Sequence, residues 1–188
     1  EIIGDYGYEY QSTPPYEFIS NNDLSASQLN YLKKFEDVFD IFYNSKRFRF
    51  TVQRLLKKLP AVNIFNLLLE HMETNNIFNQ PHALNAQYKI IHDTFTLNKD
   101  PVDLDILRLD YLYAQRVYRL PRFLEIEEAR QKTWGGDKKT PLVPFLHTIQ
   151  IDKGDAEIQP ATSPQFCAVV HDTESSGYMS PPSLNWVS

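Results

Sequence analysis

Cysteine is almost absent from this sequence of 188 residues, which contains Cys167 alone. A single thiol cannot form an internal disulfide, and by itself it cannot hold a zinc ion or an iron–sulfur cluster. Glycine is also scarce, with six residues, and neither of the glycine-rich phosphate-binding patterns occurs. No apolar run approaches the roughly 20 residues that a membrane-spanning helix needs. We therefore expect a cytoplasmic chain that holds no cofactor and does not enter the membrane.

Histidine patterns of metal or catalytic sites are missing as well. No two of the five histidines are four residues apart, and H-E-x-x-H does not occur: His71, His82, His92, His147 and His171. The nucleophile pattern Gly-x-Ser-x-Gly is absent, and Cys167 lies among apolar residues typical of a buried strand. The sequence therefore predicts no catalytic residues and no metal ligands, which argues against an enzyme made of this chain alone.

The formal net charge of −5 excludes nucleic-acid binding by bulk electrostatics. One segment is an exception, because six cations fall within thirteen residues without an acid: Lys46, Arg47, Arg49, Arg54, Lys57 and Lys58. Such a segment, with Phe48 and Phe50 in it, is able to bind RNA or a phosphate-bearing partner. The alternative is a solvated helix face with an arginine or two bound to acidic neighbours. The sequence leaves both interpretations open.

The predicted fold is mainly α, a bundle of about five to six helices with an extended arm before it and a small β-hairpin-like tail after it. We expect three parts: an arm over 1–22, a helical domain over 23–133, and a turn with a small β appendage over 134–188. The arm is rich in Tyr and Pro, and Pro14-Pro15 forbids a helix there. Its rings are expected to pack along the helices.

Five helices follow from apolar spacing and from capping residues. The first begins at Ser25, which forms a capping box with Gln28, and buries a stripe that includes Leu32 and Phe35. The others are predicted near Phe50 to Leu59, with Leu56 inward, near Ile64 to Asn75 as the central helix, after Pro81, and after the cap Asp100. A shorter helix is expected after Pro121, through Glu127 to Arg130.

β signals replace helical ones from Pro144 onward. Phe145, His147, Ile149 and Ile151 alternate with polar or outward residues, which predicts a half-buried strand. Asp152 to Asp155 is a plausible hairpin turn, and partner strands are predicted at Ile158 and at Gln165 to His171. Trp134 to Asp137 is a turn sequence. The last residues, Ser175 to Ser188, are expected to fray.

Three carboxylates on the fifth predicted helix are candidates for a site. Asp103 and Asp105 suit the positive end of the helix dipole, and Asp105 is spaced to pair with Arg108. Asp110 lies beside the inward Tyr111 and is expected to be partly buried. None of the three is predicted to be catalytic.

Several segments occur together in an order that is characteristic of one family. They are Pro14-Pro15-Tyr16-Glu17, then Tyr43-Asn44-Ser45-Lys46-Arg47-Phe48, then Leu109-Asp110-Tyr111-Leu112 with the later Pro121. Over Tyr6 to Phe123 the chain resembles the C-terminal domain of unknown function found in cobalamin-binding radical SAM proteins, a superfamily that includes proteins similar to the anaerobic oxidative cyclase of magnesium-protoporphyrin monomethyl ester. Phe42 stands where that family often has Tyr.

The resemblance implies a parent enzyme that uses a [4Fe-4S] cluster, S-adenosylmethionine and cobalamin. It implies that this chain is a non-catalytic fragment whose partners are the cobalamin-binding and radical SAM domains of the same protein, and the missing initiator Met favours a fragment too. The motif residues are then expected to make interdomain contacts: Pro14, Pro15, Tyr16, Glu17, Tyr43, Asn44, Ser45, Arg47, Phe48, Asp110 and Tyr111.

Overall fold

The computed structural model describes residues 6–78, 83–95, 100–115, 120–126, 142–152, 155–170 and 183–187. Within these ranges the helices are α1 (Ala26–Phe39), α2 (Arg49–Leu56), α3 (Ala61–Thr74), α4 (Leu84–Thr94) and α5 (Pro101–Ala114). A short hairpin of β1 (Glu9–Tyr10) and β2 (Phe18–Ser20) precedes them. A sheet of β3 (Leu142–Asp152), β4 (Asp155–Val170) and β5 (Ser183–Val187) follows. The predicted mainly α fold, with its arm and its terminal hairpin, is confirmed.

Helix α1 begins where the sequence predicted. The amide N–H of Gln28 donates to Ser25 Oγ, and the N–H of Ser25 donates to Gln28 Oε1, so the capping box is complete. The helix continues into a π-helical turn over Asp40–Asn44. Leu32 was predicted to be inward but is exposed, because the buried face is centred on Val38 and Phe42 and Leu32 lies at its edge.

Helix α2 is shorter than predicted and its inward face is narrower. Val52 and Leu55 are buried as expected, but Leu56 is 40% exposed, so its predicted place in the core is wrong. The helix is one residue longer at its start and ends at Leu56 rather than Leu59. Pro60 then occupies the N-cap position of α3 with an extended backbone, ψ 143°.

The central helix is α5, not α3. Leu67 of α3 is exposed although the apolar run predicted burial on nearly every side. In α5, by contrast, nine residues are buried, including four that are polar or charged: Asp103, Asp105, Arg108 and Asp110. This helix contacts α2, α4 and β3, so its sides face other elements of the fold. Asp100 caps it, with Pro101 next to it, as predicted.

The three C-terminal strands pair antiparallel in the order β3-β4-β5. The predicted strand through Phe145 is confirmed, whereas the two predicted partner strands form one strand of 16 residues. The expectation that the tail frays is wrong for 183–187, because β5 pairs with β4 and the Trp186 ring packs 5.5 Å from the ring of Phe145. Ile151, expected on the buried face, is exposed.

The sheet shares one hydrophobic core with the helices. Val143, Phe145, Ile149 and Cys167 belong to the same buried cluster as the inward residues of all five helices. The division into an arm, a helical domain and a β appendage stays a prediction. In the described part of the chain, every helix is too short or too polar to span a lipid bilayer.

Several predicted features lie wholly or partly outside the described residues. They are Pro81, the short helix through Glu127 to Arg130, the turn from Trp134 to Asp137, the centre of the hairpin turn from Asp152 to Asp155, and the strand end at His171. Between Pro121 and the predicted short helix the structure has a single 3-10 turn, Arg122–Leu124.

Candidate functional site

The N-terminal arm is a small hairpin closed by a turn over residues 11–17. The two strands pair through Glu9 with Ser20 and Tyr10 with Phe18. The N–H of Gln11 donates to the carbonyl of Glu17 at 2.9 Å, across a turn that contains a cis peptide bond between the two prolines. The Pro14 to Glu17 motif is therefore the tip of a hairpin.

The aromatic rings of the arm pack on one another and remain half-exposed. The Tyr8 ring lies 6.0 Å from Tyr6, 6.4 Å from Tyr10 and 5.9 Å from Phe18. Tyr6, Tyr10 and Tyr16 are nevertheless 54%, 50% and 59% exposed. The expectation that these rings pack along the helices is wrong for those three. Their exposure makes the arm an aromatic surface of the domain.

One ion pair attaches the tip of the arm to the helices. Lys33 Nζ on α1 lies 2.8 Å from Glu17 Oε2, and both side chains are about half-exposed. Exposed pairs of this kind contribute about 0.2 to 1 kcal/mol, so the pair orients the arm more than it stabilises the fold.

The second motif segment forms the π-helical turn at the end of α1 and the bend after it. Asn44 Nδ2 donates to Asp40 Oδ1, and Ser45 Oγ donates to the carbonyl of Ile41 at 2.6 Å. The Tyr43 ring is exposed on one side and packs 4.8 Å from the ring of Phe39. Tyr43 to Ser45 therefore lie at the surface.

The next residues of this segment connect it to α4. Arg47 Nη1 donates to Gln87 Oε1 at 3.0 Å, and Tyr88 Oη donates to the carbonyl of Arg47 at 2.7 Å. Phe48 is fully buried, with its ring 4.5 Å from that of Tyr88. Phe48 therefore belongs to the core and is not a contact residue at the surface.

Both exposed motif segments contain a residue in the left-handed backbone region. Tyr16 has φ of 50° and Lys46 has φ of 62°. This conformation costs a non-glycine residue on the order of 1 kcal/mol, so surrounding contacts must hold it in place. Since α1 has 14 residues, the two segments lie at opposite ends of a helix about 20 Å long. The structure therefore does not bring them into one pocket.

Asp110 and Tyr111, the third group of motif residues, are buried in the helical core. The carboxylate of Asp110 accepts the N–H groups of Phe50 at 3.0 Å and Thr51 at 2.7 Å, in the first turn of α2. Helix α2 has no side-chain cap from its own N-cap residue, so Asp110 replaces it from a distant helix. Tyr111 Oη donates to Asn85 Oδ1 at 2.7 Å.

Burial sets the protonation of Asp110. Loss of solvent raises the pKa of its carboxyl to about 7, although the hydrogen bonds from Thr51 and Phe50 favour the charged form. Asp110 and Tyr111 position helices.

In the comparison with protein families, the family described as "Protein of unknown function (DUF4080)" matches residues 4–139. The chain belongs to this family. No curated protein matches the chain. No solved structure matches it either. The DUF4080 match contains the arm and all the helices described above, and it ends just before β3.

The basic segment of this DUF4080 domain is partly neutralised by two acids at the start of α5, the cap residue Asp100 and Asp103. Lys58 Nζ lies 2.5 Å from Asp103 Oδ2 and 3.1 Å from Asp100 Oδ2, and Arg54 pairs with the same two carboxylates. Burial alone would raise the pKa of Asp100. The hydrogen bond from Lys58 helps to hold that pKa below its ordinary value. Two of the six cations therefore bind acidic neighbours, as one of the two interpretations expected.

The other cations of the segment are at the surface. Lys46 Nζ lies 5.0 Å from the centre of the Tyr43 ring, the Arg49 guanidinium lies 5.7 Å from the Phe50 ring, and Lys57 is exposed. Binding of RNA or of a phosphate-bearing partner by this segment stays a prediction.

Sequence reasoning missed a buried polar junction in the DUF4080 domain. The predicted pair of Asp105 and Arg108 is confirmed, and both side chains are almost fully buried. The second oxygen of Asp105 accepts the N–H groups of Leu146 and His147 and lies 2.9 Å from His147 Nδ1. These partners are about 40 residues away in the chain, so no local pattern signals them. In the described residues, no three His, Cys, Asp or Glu side chains are grouped where they would hold a metal ion.

Proposed function

We propose that this domain is a non-catalytic accessory domain of a larger cobalamin-dependent radical SAM enzyme of the cytoplasm. In that enzyme it packs on the radical SAM barrel and helps to shape the substrate site. Two independent supports are the motif resemblance, which implies such a parent, and the exposed aromatic arm, which suits contact with another domain.

The observation that carries the proposal is the exposure of the aromatic rings on the arm. An isolated hairpin of two short strands is marginally stable in water, and this one presents Tyr6, Tyr10 and Tyr16 half-exposed. Tyrosine supplies large contact area with few rotatable bonds, and aromatic residues are enriched at protein interfaces. Contact with a neighbouring domain gives these rings the burial that the helices do not.

The iron–sulfur cluster of such a parent does not fit the residues of this chain. The [4Fe-4S] cluster of the radical SAM class requires three cysteine thiolates, and the sequence has Cys167 alone. That side chain is fully buried in β4, on the core side. The cluster therefore belongs to another domain of the parent. We propose that S-adenosylmethionine and cobalamin lie there too, as the resemblance implies, and that this domain contributes surface and shape.

Hydrogen exchange tests the docking of the arm. We expect the amide of Gln11, in the hairpin turn, to exchange more slowly in the full-length parent than in the isolated 188-residue chain, because the arm is covered in the parent. The paired substitutions Tyr10→Ser and Tyr16→Ser should remove that protection and lower turnover by the parent.

Val62→Ser is the matched control, because Val62 is an exposed apolar residue of α3 outside the arm. It should leave both the exchange rate and the turnover unchanged. Equal exchange of Gln11 in the two proteins, or equal turnover by parent and arm variant, would contradict the proposal.

A further inference from the structure

Helix α1 has a second apolar face beside the one that it buries in the core. Leu32, Phe39 and Tyr43 are spaced by seven and then four residues, which keeps their side chains on one side of a helix. Leu32 is 46% exposed and Tyr43 is 41% exposed. Phe39 is half-buried, with its ring 4.8 Å from that of Tyr43. The face therefore continues from α1 into the π-helical turn, over about 16 Å of helix.

Two acids lie on this face between the apolar side chains. Glu36 is four residues after Leu32, and Asp40 is four residues after Glu36. Each acid therefore lies about one turn further along the same side of the helix. Both acids are exposed, so the middle of the face combines apolar area with negative charge.

The nearest cations along the chain are engaged elsewhere. Lys33 binds Glu17 of the arm at 2.8 Å, and Lys34 binds Glu73 of α3 at 2.7 Å. Lys46 lies beyond the end of α1, with its ammonium group 5.0 Å from the centre of an aromatic ring of the face. The charge of the two acids is therefore left for a partner to match.

A second copy of the chain fits this face poorly. Two copies packed in parallel through it would place Glu36 against the same residue of the other copy. An antiparallel pair would bring Glu36 and Asp40 of both copies within about two turns of one another. Like charges brought together in this way oppose association. A partner with the opposite charge is complementary.

We infer that this face binds an amphipathic helix from another domain of the parent protein. Packed helices contact each other through residues at three- and four-residue spacing, which is the spacing of Leu32, Glu36, Phe39 and Tyr43. The bound helix has apolar residues at that spacing and lysine or arginine opposite Glu36 and Asp40. Only the source of this helix rests on the function proposed above. Its apolar and basic character follows from the charge complementarity of α1.

A designed peptide tests the chemistry of the partner on the intact 188-residue chain. The probe is a cross-linked helix of two heptads with leucine at the contact positions and lysine elsewhere, and its counterpart has glutamate in place of lysine. At physiological ionic strength we expect saturable amide shifts in α1 with the lysine peptide. The glutamate peptide should bind at least about ten-fold more weakly, because its charges face Glu36 and Asp40.

Two adjacent acids provide a matched test of the charge. Glu36→Lys and Asp37→Lys make the same change at exposed positions of α1, but the two side chains point about 100° apart. Glu36→Lys should weaken binding of the lysine peptide at least about five-fold, and Asp37→Lys less than about two-fold. Equal losses in the two variants, or equal binding of the two peptides by the unsubstituted chain, would overturn the inference.

The apolar part of the face is tested by Leu32→Ser combined with Tyr43→Ser. This variant should bind the lysine peptide at least about ten-fold more weakly, because both side chains lose apolar area that the peptide covers. Leu67→Ser is the control, since Leu67 is exposed on the side of α3 away from Phe65, and it should change binding less than about two-fold. In sedimentation, a dimer that the double variant converts to monomer would make a second copy the occupant and overturn the inference.

Hydroxyl-radical footprinting locates the partner in the full-length parent. Leu32 and Tyr43 should be modified at least about three-fold more slowly in the parent than in the isolated chain, because the core of an interface excludes solvent. Leu67 should be modified equally in both. Equal modification of Leu32 in the two proteins would overturn this inference. Slow exchange of the Gln11 amide would still uphold the accessory role, so the two failures are distinguishable.

Discussion

At the scale of single residues, removal of the buried Asp110 side chain is expected to destabilise the fold. Asp110→Ala leaves the N–H groups of Phe50 and Thr51 buried without their acceptor. The expected loss is about 1 to 3 kcal/mol of the free energy of unfolding, because an unsatisfied buried donor costs its full desolvation. Urea denaturation measures it, and Asp37→Ala, on the exposed side of α1, should cost less than about 0.5 kcal/mol.

The same carboxyl makes stability depend on pH. Its pKa is raised by burial from 3.8 to about 7 in the folded chain. Between about pH 4 and pH 7 the folded state therefore holds a proton that the unfolded state has released, so the free energy of unfolding falls as pH rises through this window. Asp110→Asn removes the titrating group and with it this slope.

Urea denaturation at several pH values checks the sign. The difference in the free energy of unfolding, native chain minus Asp110→Asn, should fall by up to about 1.4 kcal/mol per pH unit across the window and be constant above it. Asp93 and Asp100 have lowered pKa values, so they change the free energy of unfolding at lower pH. Their contributions are the same in both chains and cancel in the difference. A difference that does not change with pH would show that the carboxyl of Asp110 titrates normally.

At the scale of elements, local capping signals were sufficient for some helices and absent for others. Ser25 with Gln28 and Asp100 with Pro101 lie next to the helices they begin, so the sequence alone predicted those helix starts. The start of α2 is capped from Asp110, 60 residues away, and Asp110 looks like an ordinary acid within an apolar stripe. Leu56 was misplaced for a related reason, because spacing alone does not tell which edge of an apolar stripe meets the core.

The arm illustrates a different limit. Pro14-Pro15 correctly excluded a helix, and the motif drew attention to residues that the structure places at an exposed tip. Whether the rings pack on helices or on each other depends on the hairpin register, for which the sequence of the arm has no clear signal. The sequence thus predicted which residues of the arm form the candidate contact surface, but it did not predict how their rings pack.

Gly7→Ala is expected to loosen the arm while leaving the helical core intact. Gly7 has φ of 62°, and a Cβ there would lie 2.2 Å from Asn22 Oδ1, beside the bond from Asn22 N–H to the Tyr6 carbonyl. Strain at Gly7→Ala lowers the free energy of local opening of the arm, and a loss of about 1.4 kcal/mol increases opening ten-fold. We therefore expect the Gln11 amide to exchange at least about ten-fold faster. The urea midpoint should hardly move.

Ser12→Ala, an exposed position in the same hairpin, is the control and should change neither quantity. If Gly7→Ala lowered the urea midpoint as much as a core substitution, the arm would be part of the cooperative core and not a separable surface.

At the scale of the whole molecule, one buried carboxylate links three parts of the fold. Asp105 on α5 pairs with Arg108, whose Nε donates to the carbonyl of Leu124 at 2.6 Å. The other oxygen of Asp105 accepts the N–H groups of Leu146 and His147 in β3, where the β3–β4 register shifts between Phe145 and His147. The sequence predicted the pair but not the junction, because the strand contributes backbone groups that every residue has.

A double-mutant cycle on Asp105 and Arg108 tests whether this junction holds the sheet on the helices. Each single change, Asp105→Asn or Arg108→Met, should cost about 3 to 5 kcal/mol, because it leaves the other charge buried without the ion-pair partner on its own helix. The double variant should cost clearly less than the sum of the two, since it leaves no orphaned charge. Asp105→Asn alone should also speed exchange at the amides of Leu146 and His147, while Arg108→Met, which keeps their acceptor, should affect them less. Additive losses, or equal effects on those two amides, would mean that packing of Phe145 and Trp186 fixes the sheet and the carboxylate only follows it.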